Sequence, residues 1–546
     1  MKKLSLLLLS SALLGLCSCG QPGGGADPEE DPTKVTIKVG TLALGYGSEW
    51  LTKAAARYEE LHKEDVYGDK KGVKVVVVPT TDSAYPRDGS SVLSDDMDVH
   101  FRENMNVDKL IKDNSLLDLS EVINETNPYD GKTISSKMYD DDKKLYSTDN
   151  GTYALSFTSG SYGIVYNKKL FASKKLYIAK DSPENATSSA QVKLIASRGS
   201  RKSAGYNGIE GDYDDGLPRT YVELKKVMEA CAADGNTVAF GWSPKYAESY
   251  VIHALTGAMV SDAGYEQAKL RFSFDGTATT LGSIVGSSFV KDKKSTVIIN
   301  GREGNGYEMY RSSMYYNSLS LLETILSNND FFIPQDVPFD HYAMQDYMIN
   351  GYQDKQVAMT IDGSWFMNEC AKHINKSDLD DCEFGFMPLP KASFDGVTDR
   401  KYTYLEQTES CAFVKANITD ANRKAVAVDF LRFFYSDNEI LNFSKETKSL
   451  IGVKYQDLEK TSDDYAELGS FGQDLYNMSK TANRLCNNYP NQFLLNNKKE
   501  IDNIYFFRTK DLTNPFPSFL NKTHTPASYV QAMTSYYTEA KWNSLS

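Results

Sequence analysis

The sequence predicts an α/β protein built as two lobes, and three observations carry that reading. Its 546 residues are too many for a single hydrophobic core, so the chain is expected to divide. Near the start, Val35–Gly40 alternates as a strand, Glu49–His62 has helical apolar spacing, and Val73–Pro79 is a second, apolar strand, which together make a βαβ unit. Further on, Val357–Ile361 reads as a buried strand that breaks at Asp362-Gly363-Ser364, with Trp365 opening a helix. Such a break leaves free backbone N–H groups at a helix start, beside an aromatic face that can stack on a ligand ring or simply pack in the core.

Composition narrows the class. Hydrophobic residues make up 41% and aromatics 12%, values of a folded protein. The formal net charge of -13, with no basic run after the first residues, argues against a nucleic-acid partner. Lys2 and Lys3 precede the apolar run Leu4–Leu16, which fits a signal-peptide core and is too short to span a bilayer. Leu16-Cys17-Ser18-Cys19 resembles the bacterial lipobox, with Cys19 the expected lipidation site because small Ser18 precedes it. Residues 1–19 are thus expected to be a lipoprotein signal peptide. Residues 20–34, rich in Gly, Pro and acids, are expected to be a flexible tether.

Along the chain, short strands are expected at Asp98–Phe101, Tyr153–Phe157, Gly163–Tyr166, Thr237–Gly241, Glu383–Phe386 and Ser410–Lys415. Helices are expected at Val107–Leu117, Val222–Ala233, Tyr246–Met259, Ser318–Leu326, His341–Asn350 and Arg423–Tyr435. A final helix over Ala527–Leu545 has Thr525-Pro526 as N-cap and first turn. The polar stretch from Phe171 to Arg219 reads as a surface excursion.

Several segments, taken in order, resemble one family. They are Gly163-Ile164-Val165-Tyr166-Asn167-Lys168-Lys169-Leu170-Phe171, then Leu217-Pro218-Arg219-Thr220-Tyr221-Val222-Glu223-Leu224, then Val357-Ala358-Met359 to Gly363-Ser364-Trp365. Gly385-Phe386-Met387-Pro388-Leu389-Pro390 and the helix Ala425–Tyr435 after Ala412-Phe413-Val414 complete the series. The chain resembles the extracellular solute-binding lipoproteins of bacterial ABC importers, in the carbohydrate-binding group that includes maltose-binding protein. The resemblance implies a two-lobed periplasmic-binding-protein-like α/β fold with a ligand cleft between the lobes. It implies a first lobe of residues 35–157 and 408–458 and a second of 158–407 and 459–546, with insertions near 172–216 and 262–335. Hinges are implied near Leu155–Ser161 and Thr403–Ser410.

Sugar binding needs aromatic faces and planar polar groups. Ligand-binding residues are accordingly expected at strand ends: Trp365, Trp242, Tyr46, Glu49, Arg102, Ser159, Asp362 and Glu409, with Trp50, Glu103, Asn104, Ser161 and Glu406 as further candidates. For each, the alternative is core packing, capping or solvation. Trp542 reads as packing. The implied partners are a sugar and a membrane ABC permease, with membrane contact through the lipid anchor on the extracytoplasmic face, and a monomer is expected. A peptide-like or polyol ligand, or a glycan-active enzyme or adhesin, are the alternatives. The enzyme would need a carboxylate pair about 5–10 Å apart.

No catalytic residues, cofactor or metal are expected. The six histidines are scattered, no Gly-x-Ser-x-Gly elbow occurs, and Gly301–Gly306 lacks the Lys-Ser/Thr of a phosphate loop. Cys231, Cys370, Cys382, Cys411 and Cys486 have no metal-ligand spacing, and no disulfide can be assigned among them. Asp212-Tyr213-Asp214-Asp215-Gly216 only faintly resembles a calcium loop, lacking the later bidentate Glu.

Overall fold

The computed structural model describes residues 31–43, 45–81, 86–103, 105–196, 201–293, 296–336, 338–375, 378–379, 381–406, 410–486, 492–501 and 514–545. Cys19 and the rest of the expected leader, Asn104 and Glu409 lie outside them.

The chain opens with β1 (Val35–Leu42), α1 (Glu49–Leu61), β2 (Val73–Thr80) and β3 (Val99–Arg102), then runs through short helices to β4 (Leu155–Ser156). Then come β5 (Tyr162–Asn167), α2 (Tyr221–Asp234), β6 (Thr237–Gly241), α3 (Ala247–Ala263), β7 (Gln356–Gly363), α4 (Phe366–His373) and β8 (Phe384–Met387). The chain continues as β9 (Thr403–Glu406), β10 (Cys411–Val414), α5 (Ala421–Phe434), α6 (Asp437–Thr447), α7 (Gly469–Thr481) and β11 (Asn483–Cys486).

These strands form two main sheets. The first has the order β2-β1-β3-β10-β4, with β1 parallel to both β2 and β3 and β10 antiparallel to β3 and β4. The second has the order β6-β7-β5-β8, with β6 and β7 parallel and β5 antiparallel to β7 and β8. The apolar strand β2 lies at a sheet edge, which is where its Pro79, unable to donate, is tolerated.

On the first sheet, α1 buries Trp50, Leu51, Ala54, Ala55 and Tyr58. Trp50 is enclosed by Phe101, Phe157, Phe434 and Phe443, each ring 5.2–5.3 Å away. It is a core residue. On the second sheet, α7 packs over β8, and Asp474 accepts from Lys168 at 2.8 Å and from the Phe386 N–H at 3.2 Å.

Some expected elements are shorter. The strand expected over Tyr153–Phe157 pairs only at Leu155–Ser156, and the helix from Val107 ends at Lys112. The last helix is two, Pro526–Tyr536 and Glu539–Asn543. Thr525 caps the first of these with a capping box and Pro526 in its first turn, as expected. The excursion before α2 is not merely a surface decoration, since Tyr177, Ile178, Tyr206, Tyr213 and Asp214 in it are buried. The five described cysteines are unbridged, and no helix among the described residues is long and apolar enough to cross a membrane.

Three segments run side by side between the sheets. Phe157 N–H donates to the Ser410 carbonyl at 3.1 Å, Gly452 N–H to the Phe157 carbonyl at 3.0 Å, and Ser159 N–H to the Leu450 carbonyl at 2.9 Å. Beside them lies a buried ionic network. Arg484 on β11 donates to Glu406 at 2.5 and 2.7 Å and to both oxygens of Asp142 at 2.9 Å. Ser159 Oγ donates to Glu406 at 2.6 Å and Ser156 Oγ to Asp142 at 2.7 Å. Removing the arginine would strand two buried carboxylates. Arg484→Leu is expected to lower unfolding free energy by about 3–5 kcal/mol in denaturant titration, whereas breaking an exposed, solvent-screened pair such as Lys63–Glu60 should change it little.

Candidate functional site

The site starts from the end of β7. Gly363 permits the turn into α4 because the Trp365 indole lies on it: a Cβ there would sit 2.3 Å from the ring. Trp365, at the N-cap of α4, is half-buried. Its ring meets the edge of Tyr162 at 4.7 Å, and Tyr162 stacks on His253 at 4.5 Å with 14° between planes. Tyr250 stands edge-on to Tyr162 at 5.5 Å. These rings come from β5, α3 and α4, and none is fully buried.

The first sheet reaches this place through the loop after β1. Gly45 and Gly47 have φ of +57° and +67°, left-handed values that glycine adopts without strain, and between them Tyr46 is turned inward. The Tyr46 hydroxyl lies 3.3 Å from Ser364 Oγ and accepts from Ser449 Oγ at 3.4 Å. The Gly45 carbonyl accepts from Asn368 Nδ2 at 2.9 Å and from the Lys372 ammonium. Ser364 Oγ in turn donates to the Ser159 carbonyl at 2.9 Å, so the turn is tied to the crossing segment. Next to these contacts a cavity of about 690 Å³ opens between Lys53 on α1, Met367, Asn368 and Ala371 on α4, and Lys445 and Thr447 on α6.

Behind the aromatic rings is a group of acids. The Gln345 amide donates to Glu369 at 2.8 Å and to Asp362 at 3.4 Å, and Asp362 also accepts from the Gly363 N–H at 2.7 Å. Burial, then Glu369, pushes Asp362 well above the usual carboxylate range. Burial pushes Glu369 up to about 7. Glu103, from the end of β3, is also pushed up to about 7, by burial and then by Glu369. Lys372 is lowered by burial, against the attraction of Glu369, Glu103 and Glu49. Carboxyls raised in this way can, in their protonated form, donate as well as accept hydrogen bonds. The arrangement offers a stacking surface, mixed donors and acceptors and a groove.

The expected site residues divide accordingly. Trp365, Tyr46 and Asp362 gather here, and exposed Glu49 acts on Lys372 from the first turn of α1. Ser159 takes part through its carbonyl, while its hydroxyl belongs to Glu406. Two expectations are corrected. Trp242 is 1% exposed, stacked on Phe332 at 5.4 Å and edge-on to Phe516 at 5.8 Å, so it is core. Arg102 is fully buried, donating to His100 Nδ1 at 3.0 Å and to Thr80 Oγ1 at 2.9 Å. It shares a strand face with His100, two residues away, and its hydrogen bonds are spent inside the lobe. Tyr162, Tyr250, His253, Gln345, Glu369 and Lys372 were not expected. Only Glu369 had a signal, standing four residues after Trp365 on the same helix face.

Neither a protein-family model nor a curated protein sequence matches this chain. Solved structures do. Apo RafE from Streptococcus pneumoniae superposes with a TM-score of 0.54 at 13% identity, over 93% of this chain and 98% of that one. BlMnBP2 from Bifidobacterium animalis subsp. lactis, a manno-oligosaccharide specific solute binding protein solved with mannotriose, gives 0.53 at 15% identity over 94% and 95%. The GacH receptor of Streptomyces glaucescens, solved unliganded and with acarbose, gives 0.50 at 11% identity over 92% and 97%. This chain has the two-lobed fold of the periplasmic binding proteins. In that fold the two sheets are the cores of the lobes, and the contacts of Tyr46 and Gly45 with α4 cross between them.

The raised acids make folding stability dependent on pH. Glu103 and Glu369 have folded-state values near 7 against ordinary values of 4.5, so folding favours their protonated forms. Their burial costs nothing below about 4.5, and stability falls as pH rises from 4.5 to about 7. Thermal unfolding across this window should show that decline, and Glu369→Gln should flatten it.

Proposed function

We propose that this protein is the substrate-binding receptor of an ABC transporter. It captures a sugar or oligosaccharide between its lobes and delivers it to a membrane permease. The observation that carries the reading is the aromatic surface of Trp365 and Tyr162 beside protonatable acids, at the junction of the two lobes. A pyranose presents an apolar face to such rings and hydroxyls to such acids. Closure of the lobes would trap the ligand and shift an open–closed equilibrium. The likeness in fold to the solute binding protein BlMnBP2 and the GacH receptor supports a receptor over an enzyme.

The sequence features of the N-terminus support the remaining parts of the reading. The protein is exported, lipidated at Cys19 and held as a monomer at the extracytoplasmic face of the cell membrane by the 20–34 tether. Residues 35–157 and 408–458 act as the first lobe, and 158–407 and 459–546 as the second. Asp362 is a positioning residue for the Trp365 turn, and Glu49 lines the first-lobe side.

A glycan panel read by thermal shift tests the function. A saccharide present at about 100 times its Kd should stabilise the protein by about 2.7 kcal/mol. Trp365→Ala should weaken that binding by about 2 kcal/mol, roughly thirtyfold, without unfolding the protein. The reading fails if no saccharide stabilises the protein, or if a stabilising one is slowly hydrolysed.

A further inference from the structure

The segment before α2 carries a second group of carboxylates that the inter-lobe site does not use. One oxygen from each of Asp212, Asp214 and Asp215 lies within 4.8 Å of the other two. Asp214 is fully buried. Its Oδ2 accepts from the Asn207 N–H at 3.0 Å, but its Oδ1 has no hydrogen-bond partner and no access to solvent. Asp212 accepts from the Asn207 amide at 2.6 Å and from the Asp214 N–H at 3.3 Å, and Asp215 accepts from the Gly211 N–H at 2.8 Å.

A buried carboxylate oxygen without a donor costs on the order of 1–3 kcal/mol or more. Adjacent carboxylates cannot all ionise unless a cation lies among them. Lys202, which approaches the loop, donates to the Asp215 backbone carbonyl at 2.9 Å and lies over the Tyr177 ring.

We propose that Asp212, Asp214 and Asp215 hold a hard divalent cation, calcium in preference to magnesium. Anionic oxygen donors suit hard cations rather than zinc or copper. Calcium takes oxygens at about 2.3–2.6 Å, so donors on opposite sides of its shell stand up to about 5 Å apart, whereas a magnesium shell spans only about 4 Å. The Asp214 Oδ1 gains the partner it lacks. The cation also fastens the end of the excursion upon itself just before Leu217-Pro218-Arg219-Thr220 leads into α2, a neighbourhood already held by the Gly216 N–H to Ser203 carbonyl bond at 2.9 Å.

The test uses the mature full chain, stripped with a chelator and then titrated with calcium or magnesium. Thermal unfolding and isothermal calorimetry are the readouts. Calcium should raise Tm and bind at one site, with magnesium weaker at equal concentration. Asp212→Asn and Asp215→Asn should each weaken calcium binding by about tenfold or more. Asp214→Asn should abolish the calcium shift while leaving the stripped protein at least as stable as the stripped wild type, which a merely structural carboxylate would not do. The absence of any calcium-dependent shift or heat in the stripped wild type overturns the proposal. So does a shift of unchanged size in all three variants.

Discussion

The buried Arg484 guanidinium is the interaction on which the architecture depends. It joins Asp142, which precedes the first crossing, to Glu406, which precedes the second, and Glu406 holds the Ser159 hydroxyl in the first crossing itself. Its worth lies less in net stability than in specification. Two buried carboxylates are tolerable only with the guanidinium in place, so the ends of the crossing segments have one permitted arrangement. Ser159 then offers its carbonyl to Ser364, and the turn that carries Trp365 inherits its position from the same network.

The contacts that Tyr46 and Gly45 make across the junction are polar. Tyr46 and Gly45 reach Ser364, Asn368 and Lys372 across the junction, while Glu103 and Glu369 set like charges against each other. The junction includes acids whose ionisation opposes their contact. The aromatic rings behind it are held by one another and by Gly363, and so form a surface that is in place before a ligand arrives.

Much of the fold was legible in the sequence, because strand and helix periods are local properties. The βαβ unit of β1, α1 and β2, the strand β7 and the helix α5 stand where the apolar spacing put them. Site residues were legible only in part. Trp365 and Trp242 both follow strands of the second sheet, yet one is half-buried at the junction and the other is enclosed by Phe332 and Phe516. Nothing near residue 242 announces a ring contributed by residue 516. Arg102 misled for a similar reason: a charged residue at a strand end suggests a ligand, and only the positions of His100 and Thr80 show that its donors are already used.

The sequence alone determined the α/β elements, their order and the turn that places an aromatic residue at the end of a buried strand. These follow from side-chain period and from glycine's backbone freedom, which need no distant partner. The tertiary structure decided which rings line the junction, which acids are buried enough for their pKa values to rise, and that three aspartates of one loop share a space with an oxygen left over. Those outcomes depend on burial and on contacts between residues far apart in the chain, such as Tyr46 with Ser364 and Glu103 with Glu369. Solvation and Coulomb energies are set by the surroundings in space, and a linear sequence does not state what those surroundings are.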